Sequence, residues 1–159
     1  MSEMKDMILD VVERMLKEHV DKDLVDIVEQ GQWSPHVWNL FEENGIPIVA
    51  ISEENGGAGG DLDDLLNIIR LTGKYAAPIP LAETTLANYV LERSNLQVVE
   101  GPTTYMLSTD QAYTLADGKL TGEAVHVPWA RHAQRFVTLA TSDDGMHLAE
   151  IELSKADIT

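Results

Sequence analysis

The residues best placed to do chemistry are a glycine-rich turn, ENGGAGGD at 54–61, and five scattered histidines. Glycines at a helix start let backbone N–H groups approach an anion, so this turn could cradle a phosphate. The specific versions of that device are missing: no Gly-Lys-Ser/Thr follows, and no G-x-G-x-x-G spacing follows a strand. Tight backbone geometry is therefore the preferred reading of these glycines. His19, His36, His126, His132 and His147 form no HExxH or other close ligand pair, which argues against zinc. His126 and His132 lie near Arg131 but have no acidic neighbour to orient them, so a hydrolase site is not expected either. Ser52, Ser94 and Ser108 stand outside any G-x-S-x-G elbow. The pair Glu53-Glu54 reads as a solvated loop, because acid–base work needs a cleft that shifts a carboxyl's pKa. Trp33, Trp38 and Trp129 have no interleaved basic residues and read as packing side chains.

Composition narrows the classes further. The 159 residues are 44% hydrophobic and 24% charged, as in a folded globular protein of one domain or two small ones. With no cysteine, disulfides, thiolate nucleophiles and Cys-ligated zinc are excluded. The formal charge of −16 repels DNA, RNA and anionic membrane faces, so neither nucleic acid nor membrane is an expected partner. The surplus acid is either solubilising surface or a sign that a phosphate-rich ligand turns its phosphates to solvent or takes its basic residues from another chain. The first residues mix acids with apolar side chains and resemble no secretory signal, and no apolar run is long enough to span a bilayer. A cytoplasmic protein is expected.

The elements that must position these residues fall into two sets. Met4, Met7, Ile8, Val11, Val12, Met15 and Leu16 repeat at helical spacing, with Glu13 and Lys17 paired on the outer side. A short helix is expected over 23–30, stopping at Gly31. Ser34 and Pro35 open another that carries Val37, Trp38 and Phe41 and closes at Asn44-Gly45. GIPIVAIS, 45–52, is read as a buried extended segment. Asp61 caps a helix carrying Leu62, Leu65, Leu66 and Ile69, and a last helix starts after Pro80 with Leu86, Tyr89 and Val90 inward.

From Gly101-Pro102 onward the residues favour strands: TTYMLST, QAYTLA, KLTGEAVHV, RFVTLATS and MHLAEIEL, separated by turns at Asp117-Gly118 and Asp143-Asp144-Gly145. The fold class expected is α+β. An all-helical domain of about five helices, 1–100, precedes a partial antiparallel β domain, 101–159. A sheet stopping near Thr159 would keep an open edge, so something beyond these strands is expected to complete the domain.

The order of segments resembles the acyl-CoA dehydrogenase family. WNLFEENGIPIVAISEENGGAGGDLDD is similar to its helix, buried run, P-E-x-x-G-G-x-G and Leu-rich helix, with Ser52 in place of the usual proline. AAPIPLAETTLANYVL resembles the helix opening of a divergent branch. GKLTGEAVHVPWARHAQRFVTLA parallels the family's x-L-x-G-x-K-x-W-I-T stretch without a gap.

The resemblance implies a helical domain, a β domain and a C-terminal bundle. It implies FAD as cofactor and α,β-dehydrogenation of an acyl-CoA thioester, in which a carboxylate takes the α-proton and flavin N5 the β-hydride. It also implies cofactor-binding positions: Tyr105, Leu107 and Ser108 on the flavin-lining strand, and His126, Val127 and Pro128 in the second flavin segment. Ser108 stands for a threonine. His126 replaces the family tryptophan, removing a flat stacking surface, and Pro128 replaces a threonine, removing a hydroxyl and an N–H. The T-E-P-x-x-G-S-D element has no counterpart at Thr109-Asp110-Gln111. The base comes from the C-terminal bundle in this family, so no catalytic residue is nominated here and the isolated chain is expected to be inactive. The implied partner is a homo- or hetero-oligomeric chain supplying that bundle. The alternative is a non-catalytic partner subunit, or an interaction module, with decayed flavin motifs.

Overall fold

The computed structural model describes residues 3–108 and 113–158. Five helices come first: α1 (Glu3–His19), α2 (Lys22–Glu29), α3 (Pro35–Glu43), α4 (Leu62–Lys74) and α5 (Leu81–Arg93). Five strands follow: β1 (Thr103–Met106), β2 (Thr114–Ala116), β3 (Lys119–Thr121), β4 (Arg135–Ser142) and β5 (Gly145–Glu152). The α+β class and the helices-then-strands order match the sequence reading. Among the described residues, no helix is long and apolar enough to cross a membrane.

The helical stripes meet where their spacing directs. Val12, Met15 and Leu16 of α1, Val37, Trp38 and Phe41 of α3, and Leu65, Ile68 and Leu71 of α4 form one buried core. Fully burying side chains of this kind stabilises by about 1.5–3 kcal/mol each. The side chain of Met4, also assigned to the stripe, lies outside the description. Local signals set the helix ends. Asp61 and Asp64 make reciprocal side chain-to-backbone bonds at the start of α4, and Gly45, at φ +68, turns the chain after α3. Ser34 holds the N-cap position of α3 without a side-chain capping bond.

Three expectations change. GIPIVAIS is buried but not extended: Ile46–Ile48 is a 3-10 turn carrying Pro47, with further i to i+3 bonds from Val49 and Ile51. In α5, Leu86 and Tyr89 pack partly against the helical core, but the fully buried face is Leu81, Thr84, Thr85, Ala87, Asn88 and Leu91. Of its polar members, Thr85 donates to the Leu81 carbonyl within the helix at 2.6 Å, and the other two are satisfied by the segment that leads into the sheet. Thr84 exchanges hydrogen bonds with the N–H and carbonyl of Thr103 (2.9 and 3.1 Å), and Asn88 does so with Val99 (3.1 and 3.2 Å).

The third change is in the sheet, which is mixed where an antiparallel one was expected. β5 runs antiparallel along one whole edge of β4. β1 and β2 therefore meet the other edge, both parallel to β4, and β3 forms a hairpin with β2. The parallel pairings arise because the chain crosses over between β1 and β4 instead of turning back. The two hairpin turns lie where the sequence placed them, with Asp117 and Gly118 both at positive φ.

Candidate functional site

β1 leads to the first candidate segment, Leu107 and Ser108. Its ladder with β4 stops at Met106, whose carbonyl accepts a hydrogen bond from the Thr138 hydroxyl at 2.8 Å. The segment between β3 and β4 folds back over β1. The Thr104 hydroxyl donates to the Pro128 carbonyl at 2.6 Å, and the Gln134 N–H to the Pro102 carbonyl at 2.7 Å. Pro128 is thus tied beside Thr104 of β1, and Leu107 and Ser108 follow the strand's end at Met106.

Strand alternation splits the candidate residues between two faces. Tyr105, paired with Val137, packs towards Ala87 and Leu91 of α5. Val127 packs on the opposite face, with Met106 and Phe136. Leu107 is exposed just beyond the strand. Thr109-Asp110-Gln111, where a family element was sought, lies outside the described residues.

His126 and Val127 also line an open cleft of about 1200 Å³ between α2 and the sheet, with Val25, Phe136 and Ile151 among its apolar walls. His126 and Trp129 both have φ +58, a conformation uncommon for residues with side chains and concentrated at functional sites. Trp33 stacks on His132 with ring centroids 5.3 Å apart and meets Trp129 edge-on at 6.3 Å. The Trp129 indole is therefore held in a packing cluster, as the sequence reading assigned it. Tyr113 fills the place that a side chain at residue 122 would take: a Cβ on Gly122 would lie 2.3 Å from its ring. Burial, and then the Glu123 charge, push the Tyr113 hydroxyl above its ordinary pKa.

The glycine-rich turn is not shaped for a phosphate. The N–H groups of Gly57, Gly59 and Gly60 donate to the carbonyls of Ser52, Ile51 and Val49 at 2.8–3.0 Å. A Cβ on Gly57 would lie 2.2 Å from the Ile51 carbonyl oxygen. Close backbone approach is what these glycines serve. Glu92 of α5 secures the same turn: one of its carboxylate oxygens accepts from the Ser52 N–H (2.8 Å), the Ser52 hydroxyl (2.7 Å) and the Asn55 amide (3.0 Å). These bonds, Asn55's foremost, hold its pKa below the ordinary carboxylate value.

Sequence reasoning passed over two arrangements. Glu83 sits half-buried on α5 near Tyr105, and burial pushes its carboxyl above the ordinary value; only its place in the AAPIPLAET stretch could have drawn attention to it. Ser142, Asp144 and His147 converge on the β4–β5 turn. There the same imidazole nitrogen, Nε2, faces both the serine and the aspartate at 2.9 Å. A relay needs the two partners on opposite nitrogens, so this trio clamps a hairpin and activates no nucleophile. Among the described residues, no group of three His, Cys, Asp or Glu could hold a metal ion.

Residues 2–94 match the acyl-CoA dehydrogenase N-terminal domain family, and the chain belongs to that family. It is 33% identical over 94 residues to acyl-CoA dehydrogenase IpdE2 of Mycolicibacterium smegmatis, covering 57% of this chain and 30% of that protein. The fold matches the ChsE4–ChsE5 complex of Mycobacterium tuberculosis at a TM-score of 0.80 and 17% identity, covering all of this chain and 50% of the other. It matches a variant of the Tcur3481–Tcur3483 steroid ACAD at 0.79 and 21% identity (94% and 48% covered). It also matches the FAD complex of PigA at 0.67 and 17% identity (96% and 48% covered). The chain thus spans about half the length of these solved structures and aligns with under a third of the IpdE2 relative.

Proposed function

We propose that the chain is the N-terminal portion of an acyl-CoA dehydrogenase-like flavoprotein, with residues 1–100 and 101–159 as its helical and β modules. FAD would lie against residues 107–108 and 126–128, and another polypeptide would complete the site. The observation that carries this reading is the hydrogen bond from Thr104 to Pro128, which ties the second flavin-type segment to the strand that leads to the first, in a chain of this family.

The residues present fit half a flavin cradle. Leu107 offers an exposed apolar wall where the strand leaves its ladder, Ser108 a hydroxyl, and Val127 a second apolar contact. His126 offers a ring nitrogen in place of an indole face, and Pro128 fixes the loop through its carbonyl while giving no donor of its own. Tyr105 would act from the α5 side by supporting the strand. When bound, FAD would supply the redox chemistry, accepting the substrate's β-hydrogen as hydride. The chain's own part is to orient the ring and exclude water beside it.

The substrate would be an acyl-CoA thioester. The steroid ACAD among the structural neighbours supports a sterol-derived acyl group over a simple fatty one. The complexes among those neighbours support a hetero-oligomer, whose second chain would bring the base and the cations for the coenzyme A phosphates. That division suits a chain of charge −16.

A second reading, a non-catalytic partner subunit, draws on His126 and Pro128, which stand where the family has tryptophan and threonine. Anaerobic mixing of the assembled complex with a sterol-derived acyl-CoA separates the two. Bleaching of flavin that is lost when Ser108 or His126 is replaced by Ala supports a working half-site. Bleaching unchanged by both replacements assigns the flavin to the partner alone.

A further inference from the structure

We propose that Asn55-Gly56 is a spontaneous modification site: loss of the Asn55 side-chain amide leaves a carboxylate that repels Glu92 and frees the glycine-rich turn from α5. This inference does not depend on the flavin reading.

The chemistry needs an asparagine side chain followed by a residue that does not shield its own backbone nitrogen. Asn55 is exposed at the end of the 3-10 turn Glu53–Asn55, and Gly56 follows at φ +86 with no side chain over its nitrogen; its N–H donates to the Glu53 carbonyl at 3.1 Å, so attack follows opening of that single turn bond. The Gly56 amide nitrogen attacks the side-chain carbonyl carbon of Asn55 and a C–N bond forms. The bond from that carbon to Nδ2 breaks, and ammonia leaves with the proton given up by Gly56. Water then opens the cyclic imide at either carbonyl, giving aspartate or its isomer with the chain routed through the side chain. Asparagine is among the thermolabile residues for such reasons.

The setting gives the change a consequence. The Asn55 amide donates at 3.0 Å to the Glu92 oxygen that also holds the Ser52 N–H and hydroxyl. Conversion replaces a donor with a second carboxylate at that distance, and two carboxylates so close cannot both stay ionised without penalty. Asn44-Gly45, the chain's other Asn-Gly pair, is an internal comparison: the Asn44 amide donates to the Leu40 carbonyl at 2.8 Å. Conversion there sets no second carboxylate against Glu92.

The test ages the full chain at mildly alkaline pH and maps amide-to-acid conversion by fragmentation mass spectrometry that separates Asn55 from Asn44. Melting curves are recorded for N55D, E92Q and the double variant N55D/E92Q. We expect conversion at Asn55, a melting temperature several degrees lower in N55D, and recovery of most of that loss in N55D/E92Q. An intact Asn55 after ageing, an N55D variant that melts with the wild type, or a double variant no more stable than N55D would each overturn the proposal.

Discussion

The helical and β halves bury their apolar residues to different degrees. Phe41, Leu16, Leu65, Ile68 and Leu81 are fully enclosed in a continuous core shared by the first four helices and the start of α5. The sheet covers one face against Ala87 and Leu91 of α5, while Phe136, Ile151 and Leu120 on the other face border the open cleft. The N-terminal domain family matches residues 2–94, and the fold of the whole chain matches the ChsE4–ChsE5 complex. The residues nearest the proposed chemistry, His126 and Pro128, sit in the β half, beside the more open packing.

That contrast can be broken most forcefully in the cores. Phe41→Ala should cost about 3–5 kcal/mol in urea unfolding followed by helical circular dichroism. Phe136→Ala, beside the open cleft, should cost about 3 kcal/mol or less, because water or neighbouring side chains can enter the space it leaves. Equal losses would contradict the difference between the halves.

The next effect is at the junction. Asn88→Leu removes both bonds to Val99 and leaves half-buried backbone groups without these partners, a loss of about 1–3 kcal/mol. It should also separate one unfolding transition into two, the helical circular dichroism signal persisting beyond the loss of strand signal.

The smallest effect is electrostatic and confined to the helices. Glu13 accepts from Lys74 at 2.6 Å and from the Tyr75 hydroxyl at 2.7 Å, and these bonds lower its pKa from 4.5 to about 2. A carboxyl depressed on folding stabilises above its unfolded pKa, and that contribution fades as pH falls through the folded value. Glu13→Gln should therefore melt below the wild type at neutral pH, and the gap should close between pH 4.5 and about 2. A gap that persisted at the acid end would show that the pair acts through packing instead of charge.

How much of this was legible in the sequence depended on how local each signal was. The Asp61 cap, the Gly45 turn and the stripes of α1, α3 and α4 are set by near neighbours and could be read directly. The 3-10 turn at Ile46–Ile48 was masked by apolar residues that serve a buried extended run equally well. The buried face of α5 was missed because Thr84 and Asn88 look solvent-facing until Thr103 and Val99 arrive to bond them. The parallel pairing of β1 with β4 joins residues some thirty positions apart and leaves no local trace. At the site, the sequence gathered 107–108 and 126–128 through kinship, but only the fold placed Tyr105 on the far face and tied Pro128 to Thr104.

The most direct test of the central claim, that residues 107–108 and 126–128 form half of a flavin site completed by another polypeptide, is flavin retention. The chain is mixed with excess FAD, with and without a complementary acyl-CoA dehydrogenase chain that carries a C-terminal bundle but cannot hold flavin alone. Each sample is desalted and its absorbance spectrum recorded. The account predicts a colourless chain alone, flavin retained with the complement, and loss of that flavin in Ser108→Ala combined with His126→Ala. A mixture that stays colourless, or one that keeps its flavin regardless of these two residues, would contradict it.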